Sequence, residues 1–311
     1  MTLQDLRGRF AAEVGKVVIG QGATVEALLV ATVLGGHVLM EGVPGVAKTL
    51  LANCFARCLS ADFRRVQFTP DMLPSDVTGT MTLRGGELVF RHGPVFTNIL
   101  LADEINRTPP KTQAALLEAM QERQVTIDGV PHPLPSPFLV VATQNPIEYE
   151  GTYPLPEAQL DRFLMKLDIG YPSELEEAQM LRLAHHGVTP AGLDGIEAVA
   201  SPADIEAFRI EVDQTRVADE VAIYVVDVVR RTRSLPSVTL GASPRAAVHL
   251  LAASKAMARL AGRDFVTPDD IALVARPVLR HRLILTPEAE LEGFTADAAV
   301  DATLAAVPVP R

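Results

Sequence analysis

The sequence predicts a three-layer α/β fold built on a parallel sheet, followed by a smaller all-helical domain. In the first 170 residues, short apolar runs alternate with helical patterns, which is typical of parallel strands joined by helices. A Gly/Pro-rich turn separates the first apolar run from the helix after it, and Gly170-Tyr171-Pro172 ends the alternation. We therefore predict two domains, an α/β core over residues 1–172 and a helical domain over residues 173–311.

The core is predicted to contain several strands and two hairpins. Apolar runs predict strands at residues 37–40, 63–68, 96–104, 138–143 and 164–169, and helices are predicted at residues 3–14, 23–34, 50–57 and 109–122. Gly85-Gly86 and Asp128-Gly129 each lie between two alternating runs, so both dipeptides predict hairpin turns. The second domain is predicted to contain helices at residues 173–185, 202–212, 219–233, 244–260 and 268–283.

Composition and charge indicate a globular chain and argue against several classes of protein. Of the 311 residues, 48% are hydrophobic and 21% are charged, which excludes a disordered chain. The formal net charge of -10 argues against nonspecific duplex binding, although a local basic stripe stays open. The most apolar early run, residues 28–34, is far shorter than the ~20 residues that span a bilayer. Because no targeting segment is visible either, we expect a cytoplasmic protein.

Two clusters of cysteine and histidine are interpreted as structural. Cys54 and Cys58 are too few for a disulfide framework or a metal site, so we expect them to be small buried hydrophobic residues. His185-His186 is interpreted as a solvated helix end rather than as a metal site.

The first candidate site is the stretch Gly42-Val43-Pro44-Gly45-Val46-Ala47-Lys48-Thr49, with Leu50 continuing it into the following helix. A glycine-rich turn at a helix N-terminus presents backbone N–H groups and the positive end of the helix dipole to an anion. Lys48 would reach the β- and γ-phosphates, and the Thr49 hydroxyl would bind Mg²⁺. The usual pattern has glycine where this chain has Ala47, and left-handed geometry is harder for alanine. An ordinary strand-to-helix turn is the alternative interpretation.

The second candidate site is Asp103-Glu104, which ends the predicted strand at residues 96–104. Ligands of open parallel sheets bind at the carboxyl ends of the strands, so these acids and the phosphate loop would meet in one crevice. Asp103 would hold Mg²⁺, directly or through water, and Glu104 would polarise the attacking water. The alternative is a capping pair of acids, but the combination with the phosphate loop is more specific than either part.

These motifs together resemble the MoxR family of AAA+ ATPases, over about residues 15–290. The further stretches that carry the resemblance are Leu101-Ala102-Asp103-Glu104-Ile105-Asn106-Arg107, Thr143-Gln144-Asn145-Pro146, Pro156-Glu157-Ala158-Gln159-Leu160-Asp161-Arg162-Phe163 and Gly241-Ala242-Ser243-Pro244-Arg245-Ala246. The resemblance implies an AAA+ core with a helical lid, binding of ATP and Mg²⁺, and a ring, expected to be a hexamer, that acts like a chaperone. It also implies a protein partner with a von Willebrand factor A domain.

The same resemblance assigns roles to individual residues. It makes Asn145 the sensor-1 residue beside the attacking water or the γ-phosphate, and Arg162 the arginine finger for a neighbouring subunit. Arg245 matches the sensor-2 position, with action in cis or in trans left open. Val18 and Ile19 resemble the segment that packs on adenine, and the two hairpins resemble insertions that face the axis of the ring. The residues alone leave an alternative for each assignment. Asn145 would be a turn asparagine, the two arginines would be solvated surface charges, Val18 and Ile19 would form a core turn, and the hairpins would be plain surface hairpins.

Three functions are therefore compared. The leading interpretation is an ATPase that couples hydrolysis to remodelling, activation or metal-cofactor maturation of a protein partner. The first alternative is a nucleic-acid-dependent motor, against which the acidic charge and the lack of a recognisable DNA-binding domain count. The second is a nonhydrolysing nucleotide-dependent scaffold, against which intact Asp103, Glu104 and Asn145 count.

Overall fold

A computed structural model describes residues 1–43, 45–145, 151–185 and 190–310, and only the backbone of residues 183–185, 190 and 191. Pro44 of the predicted phosphate loop and the predicted solvated pair at His185-His186 therefore lie outside the described side chains. Within the described part of the chain, no helix combines the length and the apolarity needed to cross a bilayer.

The helices and strands follow in chain order. The helices are α1 (Leu3–Gly15), α2 (Gly22–Leu34), α3 (Lys48–Cys58), α4 (Pro74–Thr78), α5 (Pro110–Glu122), α6 (Glu157–Leu160), α7 (Glu174–His185), α8 (Pro202–Asp213), α9 (Asp219–Thr232), α10 (Pro244–Leu260), α11 (Pro268–Leu279), α12 (Pro287–Leu291) and α13 (Ala296–Ala306). The strands are β1 (Val38–Gly42), β2 (Phe63–Gln67), β3 (Gly79–Arg84), β4 (Glu87–His92), β5 (Ile99–Asp103), β6 (Gln124–Ile127), β7 (Val130–Pro133), β8 (Leu139–Gln144), β9 (Met165–Ile169), β10 (Val238–Leu240) and β11 (Ile284–Leu285). Short 3-10 helices cover Ile105–Arg107, Pro190–Gly195 and Arg280–Arg282.

A five-stranded sheet in the order β2-β5-β8-β1-β9 forms the centre of the larger compact unit. The pairs β2–β5, β5–β8 and β1–β8 are all parallel, which confirms the predicted α/β fold. The register places Met40 beside Thr143 and Gln67 beside Asp103. As a result, β1, β2, β5 and β8 end at the same edge of the sheet, where a ligand site is expected.

Two hairpins extend from this unit, as the turn residues predict. β3 pairs with β4 around Gly85-Gly86, and β6 pairs with β7 around Asp128-Gly129. All four turn residues have positive φ, which the Gly-Gly and Asp-Gly sequences tolerate well. The hairpins meet through aromatic side chains, with the rings of Phe90 and His132 at 4.2 Å between centroids.

Helix α3, which follows the predicted phosphate loop, is anchored in the core. Cys54 and Cys58 are fully buried on this helix and carry free thiols, as expected. Burial raises the pKa of Cys54 to about 11 and that of Cys58 to about 12. Both thiols therefore stay protonated at neutral pH and serve as core packing.

The second compact unit comprises residues 1–5, 156–166 and 207–311. It is mainly helical, and it also contains a short antiparallel pair of β10 and β11. The division differs from a single cut along the sequence, because the segment 156–166 packs with residues 207–311 while residues 167–206 pack with the sheet. The domain boundary at residue 172 stays a prediction.

Candidate nucleotide site

The predicted phosphate loop connects the end of β1 to the start of α3. Gly45 and Ala47 both have left-handed backbone, with φ of 86° and 58°. Left-handed residues in such a turn direct successive N–H groups toward one side, which forms a concave anion site. Ala47 is the N-cap residue of α3, and no side chain caps its N–H groups. The helix therefore begins with donors suited to a phosphate group.

Lys48 begins α3 inside the loop. Its Nζ donates a hydrogen bond to the carbonyl oxygen of Gly42 at 2.7 Å, so the side chain folds back over the loop. Partial burial lowers the pKa of Lys48, while the carboxylates of Asp103 and Glu104 oppose that shift. The ammonium group thus lies in the field of both candidate acids.

Asp103 ends β5 and is held by donors from the two neighbouring strands. Its Oδ1 accepts a hydrogen bond from the Thr143 hydroxyl of β8 at 2.6 Å. Its Oδ2 accepts hydrogen bonds from Arg65 of β2, from Nε at 3.0 Å and from Nη2 at 2.7 Å. Arg65 also donates from Nη2 to the Gln67 amide oxygen at 2.7 Å, which extends the network along β2. These contacts fix the direction of the Asp103 carboxylate.

Glu104 has left-handed backbone, with φ of 56°, and it precedes the 3-10 helix Ile105–Arg107. Its N–H donates to the Thr143 hydroxyl at 2.9 Å. Its Oε2 accepts hydrogen bonds from Gln67 Nε2 at 2.7 Å and from Arg107 Nη1 at 2.9 Å. The strained conformation is characteristic of functional sites and turns the side chain out of the strand.

One cavity of about 440 Å³ joins the loop and the acids. Its lining comprises loop residues 45–50 together with Asp103, Glu104, Thr143, Gln144 and Asn145. The structure therefore brings together Lys48, Thr49, both acids and Asn145, as the sequence predicts. Arg65, Gln67 and Thr143 were missed, because their contacts depend on which strands are neighbours. Arg107 was missed although its contact with Glu104, three residues earlier, is local.

The residues of this cavity suit a magnesium nucleotide. The Thr49 hydroxyl and the Asp103 carboxylate are the hard oxygen donors that Mg²⁺ prefers, and the uncapped start of α3 suits the phosphates. Among the described residues, no group of three or more His, Cys, Asp or Glu is arranged to hold a metal ion. Magnesium sites of nucleotide-binding proteins use one or two protein groups together with phosphate oxygens and water.

A second cavity of about 280 Å³ lies at the junction of α1 and α2. Val18 and Ile19 line it together with Gly20, Gln21 and Val25, and Gln179 contributes from α7. Apolar walls with the two amide side chains of Gln21 and Gln179 suit a planar heterocycle. The assignment of Val18 and Ile19 to adenine binding stays a prediction.

Arg162 and Arg245, the two predicted arginines of the site, belong to the other compact unit. Asp161, directly before Arg162, has Oδ2 3.9 Å from Arg245 Nη1. The same carboxylate accepts a hydrogen bond from the hydroxyl of Ser243, the N-cap residue of α10, at 3.1 and 3.2 Å to its two oxygens. The Asp161 carboxylate, next to Arg162 in the sequence, therefore lies beside Arg245 and the start of α10 within this unit.

Comparison with known proteins places the chain among ATPases. The family model of the ATPase family associated with various cellular activities (AAA) matches residues 37–165, and that of the AAA lid domain matches residues 230–303. The chain is 48% identical to the uncharacterized protein YeaC of Bacillus subtilis, covering 99% of this chain and 96% of the relative. It is 46% identical to the chaperone MoxR1 of Mycobacterium tuberculosis, covering 96% and 81% respectively. The crystal structure of a candidate ATPase from Cytophaga hutchinsonii superposes with a TM-score of 0.91 at 42% identity, covering 99% and 96%.

Proposed function

This chain belongs to the MoxR family of AAA+ ATPases. We propose that it hydrolyses ATP in order to remodel or activate a protein partner, or to complete the maturation of that partner's metal cofactor. The observation that carries the proposal is the single cavity lined by Lys48, Thr49, Asp103, Glu104 and Asn145. These residue types are the ones that phosphoryl transfer to water requires.

Each residue of the cavity has a separate task in the proposed reaction. Lys48 and the loop N–H groups bind the β- and γ-phosphates, and Thr49 and Asp103 hold Mg²⁺. The bound ion would neutralise charge that develops on the phosphate oxygens. Glu104 accepts a hydrogen bond from the attacking water and orients it. Asn145 donates its amide N–H to the same water or to the γ-phosphate.

Arg162 is proposed to act on the nucleotide of a neighbouring subunit in a homo-oligomeric ring, with a hexamer as the proposed size. An arginine in this role stabilises transition-state charge and is worth about 10³ to 10⁵ in rate. Arg245, whose Nη1 lies 3.9 Å from the Asp161 carboxylate, is proposed as the sensor-2 residue of this reaction, in cis or in trans. It belongs to the same compact unit of the chain as Arg162.

The partner is proposed to be a protein with a von Willebrand factor A domain, in the cytoplasm. Support for a protein client comes from the relative that is named a chaperone and from the acidic net charge of -10, which disfavours nucleic acid. A Glu104→Gln variant should bind ATP without hydrolysing it, and thus retain the client. Pull-down in the presence of ATP, with Lys48→Ala as the control, should recover a metal-binding protein only with Glu104→Gln. If DNA stimulates the ATPase and no protein does, the motor alternative is correct.

The trans role is tested by mixing two inactive variants. Arg162→Ala supplies an intact cavity, and Lys48→Ala supplies an intact arginine. Some interfaces of a mixed ring pair an intact nucleotide cavity with an intact Arg162 from the neighbouring subunit, so ATPase activity should partly return. No recovery in rings that native mass spectrometry shows to be mixed would rule out the trans assignment, and so would full activity of a dilute monomer.

A further inference from the structure

Arg282, between α11 and β11, has a side chain that is only 1% exposed. Its guanidinium contacts three residues of the segment around Arg162, namely Asp161, Phe163 and Leu164. Nε donates to Asp161 Oδ1 at 2.7 Å, and Nη2 donates to the backbone carbonyls of Asp161 at 3.2 Å and Phe163 at 2.6 Å. Nη1 donates to the carbonyl of Leu164 at 3.3 Å. The contacts therefore fall on both sides of Arg162.

The same guanidinium is also tied to its surroundings on α10 and α11. Nη1 donates to the carbonyl of Val278, and Nη2 donates to Nδ1 of His249 at 2.7 Å. Burial, followed by the charge of Arg282, lowers the pKa of His249 to about 4, so its ring is neutral and accepts this hydrogen bond at neutral pH. All three nitrogen atoms of the Arg282 guanidinium thus donate hydrogen bonds.

Stability alone does not explain this arrangement. A buried ion pair is costly to desolvate, and replacement by apolar residues of similar size is often neutral or stabilising. What a rigid guanidinium offers instead is geometry, because its planar set of donors fixes several acceptors at once. Here those acceptors are the backbone and the carboxylate next to a residue whose role depends on its direction.

We propose that Arg282 is a positioning residue that sets the direction of Arg162 toward the nucleotide of the neighbouring subunit and, through Asp161, holds the position of Arg245. The inference rests on the proposed function, because it presupposes that Arg162 acts on a phosphate. Arg282 itself touches no nucleotide. It acts by holding the backbone at residues 161, 163 and 164 and the carboxylate of Asp161.

The test variant is Arg282→Lys, which keeps the positive charge but removes the planar set of guanidinium donors. Arg263→Lys is the matched control, because Arg263 forms a two-pronged pair with buried Asp270 in the same unit and contacts no part of the Arg162 segment. We expect Arg282→Lys to lower kcat about tenfold to 100-fold, as small misplacements of catalytic groups do, with unchanged affinity for a fluorescent ATP analogue. Arg263→Lys should lower the melting temperature similarly and keep kcat.

A second variant guards against a simple folding defect. Asp161→Asn keeps the shape of the side chain but removes its charge, and it should show the same loss of kcat with unchanged nucleotide affinity. Arg282→Lys with the turnover of the parent, or with a loss no greater than that of Arg263→Lys, would overturn the inference.

Mixing with Lys48→Ala separates this inference from the proposed function. The pair of Arg162→Ala and Lys48→Ala is the reference, and the pair of Arg282→Lys and Lys48→Ala should recover activity in the same way. Recovery of the reference without recovery of the Arg282→Lys pair would place the defect in that chain's own cavity and contradict the inference alone. Failure of the reference would contradict the trans role of Arg162, and the inference would fall with it.

Discussion

At the scale of single residues, Ala47 is the position where the sequence departs from the common phosphate-loop pattern. The structure gives it φ of 58°, a left-handed conformation in which alanine is strained and glycine is not. The strain falls where backbone N–H groups must turn toward an anion, which is typical of functional loops.

The effect of a substitution at Ala47 on the free energy of unfolding should depend on whether the new residue has a β-carbon and whether that carbon is branched. Ala47→Gly should change the free energy of unfolding by no more than about 1 kcal/mol, because relief of strain offsets added freedom in the unfolded chain. Ala47→Val should lose about 1–3 kcal/mol, because β-branched residues strongly disfavour left-handed backbone. Chemical denaturation of both variants measures the difference. A valine variant as stable as the glycine variant would show that the loop is not left-handed at this position.

Sequence reasoning identified the reactive residues and missed those that hold them. Lys48, Asp103 and Glu104 lie in recognisable local motifs. In contrast, Gln67 reaches Glu104 only because β2 pairs with β5 in a register that places Gln67 beside Asp103. That register is a non-local property of the sheet, and no pattern near residue 67 encodes it.

At the scale of elements, the sheet strands, both hairpins and most of the longer helices were predicted, and four helices were missed. The five sheet strands and both hairpins occur within a few residues of their predicted bounds. Helices α4, α6 and α12 were missed, since four or five residues give too little periodicity to recognise. The eleven-residue helix α13 was missed as well. The β10–β11 pair joins segments that are distant in the sequence, in the register Val238↔Leu285 and Leu240↔Ile284, so its formation depends on tertiary packing.

The first hairpin presents exposed apolar side chains near its tip. Leu83 and Leu88 pair across β3 and β4 and are 71% and 67% exposed. Arg84 and Glu87 face each other beyond them, next to the turn. Exposed apolar groups beside charges are suited to contact with another polypeptide rather than to core packing.

We predict that this hairpin serves client handling and contributes little to stability. Replacing Arg84 and Glu87 with serine should change the melting temperature only slightly, because exposed cross-strand pairs contribute less than about 1 kcal/mol. The same change should reduce client-stimulated ATP turnover. The exposed pair Arg216 and Asp264, replaced with serine in the other unit, is the matched control. Large destabilisation with normal client response would reverse the prediction.

At the scale of the whole molecule, three histidines are held in a neutral form, of which His37 and His281 are buried and His249 is half-buried. In the sheet unit, Nδ1 of His37 accepts the N–H of Val140 at 3.0 Å and its Nε2 lies 3.0 Å from the carbonyl of Met120. Burial is the main cause that lowers the pKa of His37 and of His249 to about 4, and it lowers that of His281 still further. All three bind protons more readily in the unfolded chain.

Stability should therefore fall as the pH drops from about 6.5 toward 4, the window between the unfolded and folded pKa values of His37. In that window the unfolded state binds the extra proton, so each such histidine removes up to about 1.4 kcal/mol per pH unit. His37→Gln keeps a donor and an acceptor but cannot titrate, and its unfolding free energy should depend less on pH. Urea denaturation from pH 7 to 4.5 measures both slopes, and equal slopes would contradict the neutral state of His37.

The grouping of the chain into compact units could be predicted only in part. The alternation of strands and helices up to Gly170 indicates the sheet unit, and the helical patterns after it indicate the second. Residues 156–166 belong to the second unit, where Asp161 is in contact with Arg282, 121 residues further along the chain. A contact between residues so far apart in the sequence leaves no local pattern from which it could be predicted.

The most direct test of the account combines calorimetry of Mg-ATP binding with phosphate release on the parent chain, Lys48→Ala and Glu104→Gln. Lys48→Ala should bind ATP at least about tenfold more weakly, because it loses a charged contact to the phosphates. Glu104→Gln should bind like the parent and hydrolyse about 10²- to 10⁴-fold more slowly, because it lacks the carboxylate that orients water. Equal ATP affinity of Lys48→Ala and the parent, or parental phosphate release by Glu104→Gln, would contradict the assignment of this cavity as the ATPase site.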